Sequence, residues 1–211
     1  MGVKHELQNI ISGIGHHAEK NLIQTAANHI GKSKKTSGNA EEQQFTKEQE
    51  TEELIKWIAQ ESLWFNGHDE SRFIANGAEQ RVYLYSDEVF VYKLNDSIFY
   101  KYWLDYFHSL LIHNYFFPST AYELIGFYQK DEILFAVVKQ PFIAITENTD
   151  TEIVKLFLHE NGFQLRKNND YFNPEIGLIL EDLHDENVLT NNGVLFFVDT
   201  VFYLEKKFFQ P

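Results

Sequence analysis

Four side chains able to do chemistry crowd the stretch Leu180-Glu181-Asp182-Leu183-His184-Asp185-Glu186-Asn187-Val188-Leu189: Asp182, His184, Asp185 and Asn187. A fifth, Asp199, follows twelve residues after Asn187, at the end of the apolar run Phe197-Val198. Carboxylates and side-chain amide oxygens are hard ligands, the kind that magnesium takes when it bridges phosphates. A carboxylate can also orient a hydroxyl group and take its proton. The spacing therefore suits phosphoryl transfer, with Asp182 as base and Asn187 and Asp199 as metal ligands. Two other readings stay open. Asp and Asn in a polar loop between buried strands also satisfy turn backbone groups. Asp182, His184 and Asp185 could form a hydrolytic metal trio, although no second His lies at ligand spacing.

Upstream, Phe90-Val91-Tyr92-Lys93 reads as a strand. Alternation puts Val89, Val91 and Lys93 on one face, so an ammonium able to meet phosphate shares a surface with small apolar groups able to cover an adenine. A strand-end Lys that snorkels into water is the alternative. Eleven residues before Lys93 comes the turn Ala75-Asn76-Gly77-Ala78-Glu79-Gln80-Arg81-Val82. Backbone amides approach phosphate most closely where there is no Cβ, which singles out Gly77. A second nucleotide motif, Ala26-Ala27-Asn28-His29-Ile30-Gly31-Lys32-Ser33, nearly matches a Walker A loop, but a helical pattern precedes it where a strand is needed. His16, His17 and His29 read as surface residues of that helix.

The elements that must position these groups follow from periodicity. Leu7, Ile10, Ile11, Ile14, Ala18, Leu22 and Ala26 predict one amphipathic helix over 6–29, whose apolar face needs a partner surface. The polar stretch 31–44 reads as a linker, with a boundary near residue 45. A helix over 48–64 is followed by strands over 71–74, 80–85 and 89–94. A helix over 97–114 then precedes strands over 122–128 and 133–139. Thr149 and Glu152 have capping-box spacing for a helix that stops at Gly162. Strands over 177–181, 188–189 and 194–199 close the pattern, the last two joined by Asn191-Asn192-Gly193.

Composition excludes several classes. The 211 residues contain no Cys, which rules out disulfides, thiolate zinc sites and a Cys nucleophile, and fits a reducing, cytoplasmic setting. No apolar run reaches the length of a membrane span. The net charge of −13 sits mostly beyond residue 35 and argues against nucleic acid as a partner.

Residues 66–200 resemble the protein-kinase-like superfamily, and most of all the kinase domain of polyvalent proteins of bacterial mobile elements. Asn76-Gly77-Ala78-Glu79-Gln80-Arg81-Val82-Tyr83-Leu84, Lys93 and the stretch from Asp182 to Asp199 carry that likeness. The Asp182-Leu183-His184-x-x-Asn187 loop is also similar to that of aminoglycoside phosphotransferases. The resemblance implies an α+β, two-lobed kinase-like fold. It divides into an N-terminal helix and linker (1–45), a five-stranded ATP-binding lobe (46–141) and a shortened second lobe (142–211). It implies ATP and Mg2+ as cofactors, Asp182 and Lys93 as catalytic residues, Gly77, Val82, Val91 and Lys93 around the nucleotide, and Asn187 and Asp199 on the metal. The hinge falls near residues 140–145. Departures are the single glycine of the turn, a helix over 97–114 without Glu, Leu180-Glu181 before the Asp, and Thr200-Val201 after Asp199. Three function classes follow: a phosphotransferase acting on an unknown acceptor, a nucleotide-binding pseudokinase, and a non-enzymatic module whose N-terminal helix docks a protein partner. Only twelve residues follow Asp199, so no platform for peptide substrates is expected, and a separate 1–45 segment is expected to be dispensable for nucleotide binding.

Overall fold

The computed structural model of the protein describes residues 2–14, 21–36, 46–77, 80–167 and 169–210. The chain forms two compact units. One gathers Met1–Ser12, Ser109–Ala121 and Ile143–Pro211; the other gathers Gly13–His108 and Tyr122–Phe142.

The second of these is built on one antiparallel sheet of five strands: β1 (Phe73–Asn76), β2 (Gln80–Leu84), β3 (Phe90–Asn95), β4 (Glu123–Lys130) and β5 (Ile133–Pro141), in the order β1-β2-β3-β5-β4. Short turns set the hairpins. Asp87 accepts the backbone N–H groups of Val89 and Phe90, which closes the β2–β3 connection. One sheet face buries Tyr83, Tyr92, Leu94 and Val137, with Tyr83 and Tyr92 stacked at 5.0 Å. On the other, Phe127 meets Trp57 and Phe107 edge-on. These come from helices α3 (Lys47–Glu61) and α4 (Trp103–Phe116).

Gly126 lies at a bulge of β4 with φ +147°, where the preceding segment crosses close by. Phe65 N–H donates to the Phe127 carbonyl at 2.7 Å and Phe127 N–H to the Leu63 carbonyl at 2.9 Å. A Cβ at Gly126 would sit 2.7 Å from that Leu63 oxygen. Gly126→Ala is therefore expected to cost about 1–3 kcal/mol. Urea unfolding would measure it, and a parent-like midpoint would refute the strain.

The helix expected over 6–29 is divided. α1 (Val3–Ile11) stops before Gly13, whose φ of +69° breaks the helical run, and α2 (Leu22–Thr36) begins afresh. Residues 15–20, with His16 and His17, lie outside the described residues. α2 runs on through the first part of the expected linker; residues 37–45 are outside the description. Among the described residues most apolar side chains of both helices are covered: Leu7 and Ile11 of α1 are buried, while Val3 and, beyond the helix, Ile14 are exposed. Ile23, Ala26, Ala27 and Ile30 of α2 are buried, and His29 stacks on Trp57 at 5.1 Å, where burial pulls its pKa down. The Walker-like stretch is thus a packed helix, not a phosphate loop.

α4 starts later than its periodicity suggests. Asn95 and Asp96 accept the N–H groups of Ser97 and Ile98, holding 95–98 in local turns, with Ser97 at φ +55°. Its first turn is capped from α3 instead: Glu50, fully buried, accepts Trp103 N–H at 2.5 Å and Leu104 N–H at 3.3 Å.

The other unit surrounds a core of Leu7, Ile112, Leu158, Leu180, Phe197 and Phe202, among others. α1 is part of it. Gln8 donates to the Phe208 carbonyl at 2.6 Å, and Tyr115 donates to Glu6 at 2.7 Å. α5 (Thr151–Glu160) packs on a four-stranded sheet of order β11-β8-β7-β6, made of β6 (Gln164–Lys167), β7 (Asp170–Asn173), β8 (Leu178–Glu181) and β11 (Val201–Leu204). β9 (Val188–Asn191) and β10 (Val194–Phe197) form a separate hairpin. The cap of α5 is Asp150, which accepts Glu152 N–H at 2.9 Å. Thr149, expected in that role, donates instead to the Val188 carbonyl at 2.6 Å.

Candidate functional site

The side chains singled out by the sequence fall into two groups, one in each unit. In the five-stranded unit, register places Val82 opposite Lys93, and Lys93 opposite Val138. Directly paired residues point to one face, as do residues two apart, so Val82, Val91, Lys93 and Val138 share a surface. Val89 leaves that set: it precedes β3 and is exposed. Lys93 is 5% exposed, so it does not snorkel into water, and its ammonium lies 5.4 Å from the Tyr122 ring centroid. Gly77 N–H donates to the Gln80 carbonyl at 2.8 Å. Among the described residues a Cβ at Gly77 would meet Gln80 alone, at 3.6 Å, an ordinary van der Waals contact. Its neighbours Ala78 and Glu79 lie outside the described residues.

In the other unit, β8 ends at Glu181 and the chain turns sharply through Asp182, at φ +66°, a region that Asp and Asn tolerate better than most residues. The loop is tied by its own side chains. Asn187, 7% exposed, donates through Nδ2 to the Asp182 carbonyl at 2.7 Å and to Asp182 Oδ2 at 2.9 Å. A carbonyl can only accept, so the amide NH2 must face it, which leaves Oδ1 as the atom of Asn187 able to ligate a cation. His184 Nδ1 accepts Glu186 N–H at 3.3 Å. Its Nε2, 3.2 Å from Asp182 Oδ1, then carries the proton of the neutral ring. Both oxygens of Asp182 thus face donors, while more than half of its side chain stays open to solvent. Beside it, burial and the nearby carboxylates of Asp170 and Asp182 push the Glu181 carboxyl upward.

The β9–β10 hairpin brings Asp199 to the same end as Asn187: Val188 pairs with Phe197, and Val198 N–H donates to the Asn187 carbonyl at 2.9 Å. The segment that follows the expected hinge runs along this hairpin. Thr146 N–H donates to the Thr190 carbonyl at 3.1 Å, and Asn191 donates to the Ala144 carbonyl at 2.6 Å.

A family model described as a serine/threonine/tyrosine kinase found in polyvalent proteins matches residues 47–206. The chain belongs to this Kinase-PolyVal family. No curated protein and no solved structure matches it. The match spans both groups of residues above and makes the protein a kinase-like domain. It begins at the first residue of α3, so the helix that caps α4 through Glu50 lies inside the family's span.

The hydrolytic trio of Asp182, His184 and Asp185 finds no support: among the described residues no three His, Cys, Asp or Glu side chains are grouped to hold a metal. An Asn and Asp donor set does fit magnesium, which takes few protein oxygens and completes its shell with phosphate and water. Sequence reasoning missed Ser109, His113, Thr120 and Glu50. The first two carry a faint signal, being polar residues one turn apart on an otherwise apolar stretch of α4.

Proposed function

We propose that this kinase-like domain binds ATP with magnesium and transfers the γ-phosphoryl group to the hydroxyl of an acceptor. Asp182 orients that hydroxyl and takes its proton as the new O–P bond forms and the bond to the β–γ bridging oxygen breaks, releasing ADP. Asn187 Oδ1 and the Asp199 carboxylate hold the metal, which supplies charge neutralisation at the phosphates. Lys93 and the turn at Gly77 meet phosphate, and Val82 and Val91 cover the adenine. The observation that carries this reading is the loop geometry. Asn187 fastens both the backbone and the carboxylate of Asp182, so base and metal ligand are tied into one rigid unit. The likeness of that loop to aminoglycoside phosphotransferases points the same way. The setting we propose is cytoplasmic, where ATP is plentiful.

ATP with magnesium at a hundred times its dissociation constant is expected to stabilise the protein by about 2.7 kcal/mol. A thermal-shift titration with and without magnesium, backed by calorimetry, reads this; no response at millimolar nucleotide would end any nucleotide role. A second reading, a pseudokinase that binds nucleotide without transfer, is favoured by one glycine in the turn and the absence of Glu from α4. Acceptor-independent ADP release or a phosphorylated product separates the two. A third reading, a module that docks a partner, has less apolar surface to use than the sequence suggests, because Leu7, Ile11, Ile23 and Ile30 are buried within the chain while Ile14 stays exposed.

A further inference from the structure

Three buried polar side chains hold the chain on either side of Asp199, two at its backbone and one at the Thr200 hydroxyl. Thr120 Oγ1 donates to the Phe197 carbonyl at 2.6 Å. His113 Nδ1 lies 2.7 Å from Thr200 Oγ1, and its Nε2 lies 3.0 Å from the Thr120 carbonyl. Ser109, one helical turn before His113, accepts Phe202 N–H through Oγ at 2.9 Å. Ser109, His113 and Thr120 are at most 1% exposed and Thr200 is 5% exposed, so water replaces none of these bonds.

The Thr120 carbonyl accepts and cannot donate, so Nε2 carries a proton. In the neutral ring Nδ1 is then an acceptor, and the Thr200 hydroxyl points its hydrogen at it. Each bond thereby fixes the next, from the carbonyl of Thr120 through the imidazole to the residue after Asp199. Apolar side chains would pack this space without the desolvation cost of four buried polar groups. What the polar set adds is direction.

Resting on the kinase-like reading above, we propose that Ser109, His113 and Thr120 are positioning residues that aim the Asp199 carboxylate at the metal, with His113 at their centre and Thr200 as the contact through which it acts. Their places along the chain fit that role. Bonds are made to residues 197, 200 and 202, and Val198 is held by Asn187.

Two measurements on the full chain test this. Long-range 1H–15N NMR of the unliganded parent is expected to show His113 neutral with the proton on Nε2; a ring protonated on Nδ1, or on both nitrogens, would overturn the proposal without any variant. Calorimetry then compares ATP binding in excess Mg2+ and in EDTA for the parent, Thr200→Val and Thr200→Ser. Thr200→Val is expected to weaken Mg-ATP binding about tenfold, the usual range for a lost partner behind a metal ligand, while ATP affinity in EDTA is unchanged. Thr200→Ser, which keeps the hydroxyl, is expected to bind like the parent. Equal Mg-ATP affinity in the parent and Thr200→Val would overturn the positioning role and leave the nucleotide reading intact. A parent that binds no Mg-ATP would overturn both.

Discussion

Removal of residues 1–45 is expected to unfold the protein, not to release a self-sufficient domain from a docking helix. The deletion takes α1 from one unit and α2 from the other. Leu7 is fully buried in the core that also holds Phe208, and Ile23 and Ile30 are fully buried beside α3 and β4. A buried Leu or Ile cut back to Ala typically costs about 2–5 kcal/mol, through lost transfer free energy and the cavity left behind. Domains of this size hold only about 5–15 kcal/mol in reserve, so loss of both helices exceeds it. The milder variants Leu7→Ala and Ile23→Ala make the effect quantitative, each lowering stability by about 3 kcal/mol in urea unfolding. A soluble 46–211 fragment with a parent-like melting temperature and intact nucleotide binding would show instead that the N-terminal segment is accessory.

Asp199→Asn is expected to remove most of the stabilisation given by ATP with magnesium, because a neutral amide offers the cation one weaker oxygen in place of a carboxylate. The nucleotide would bind about as well with magnesium as without it. Asp182→Asn is expected to behave differently. Asn tolerates the positive φ of that residue and keeps an oxygen for Asn187 Nδ2, so the tie between the two residues is kept and the contact with His184 alone is lost. What it loses is the basic carboxylate, so transfer falls by about 100-fold or more while binding persists. Calorimetry with paired turnover assays separates the two variants. Parent-like binding and turnover in both would remove the roles assigned to these carboxylates.

The hairpins, the five strands over 71–139 and the Asp182-to-Asp199 motif are legible in the chain because short-range rules govern them. Alternating apolar residues bounded by Asn-Gly and Asp-containing turns specify strands wherever they occur. An Asp with an Asn five residues on specifies a loop that can tie itself, as Asn187 ties Asp182. Register then follows from the turns, and with it the shared face of Val82, Val91 and Lys93.

Tertiary structure decided what sequence spacing could not. The start of α4 rests on a carboxylate from Glu50, more than fifty residues earlier, overriding a periodicity that began at Ser97. Thr149 has no capping role because the helix begins only at Thr151, with Asp150 at the cap, and its hydroxyl donates to the Val188 carbonyl, thirty-nine residues away. The apolar stripes of α1 and α2 read alike as one helix in need of a partner, yet each is buried in a different unit. No motif names a role for His113, Thr120 or Ser109. A His inside an apolar helix looks the same in sequence whether it faces solvent, a metal or a threonine hydroxyl, and only long-range packing, which excludes water and sets the Thr120 carbonyl and the Thr200 hydroxyl against the ring, selects among these.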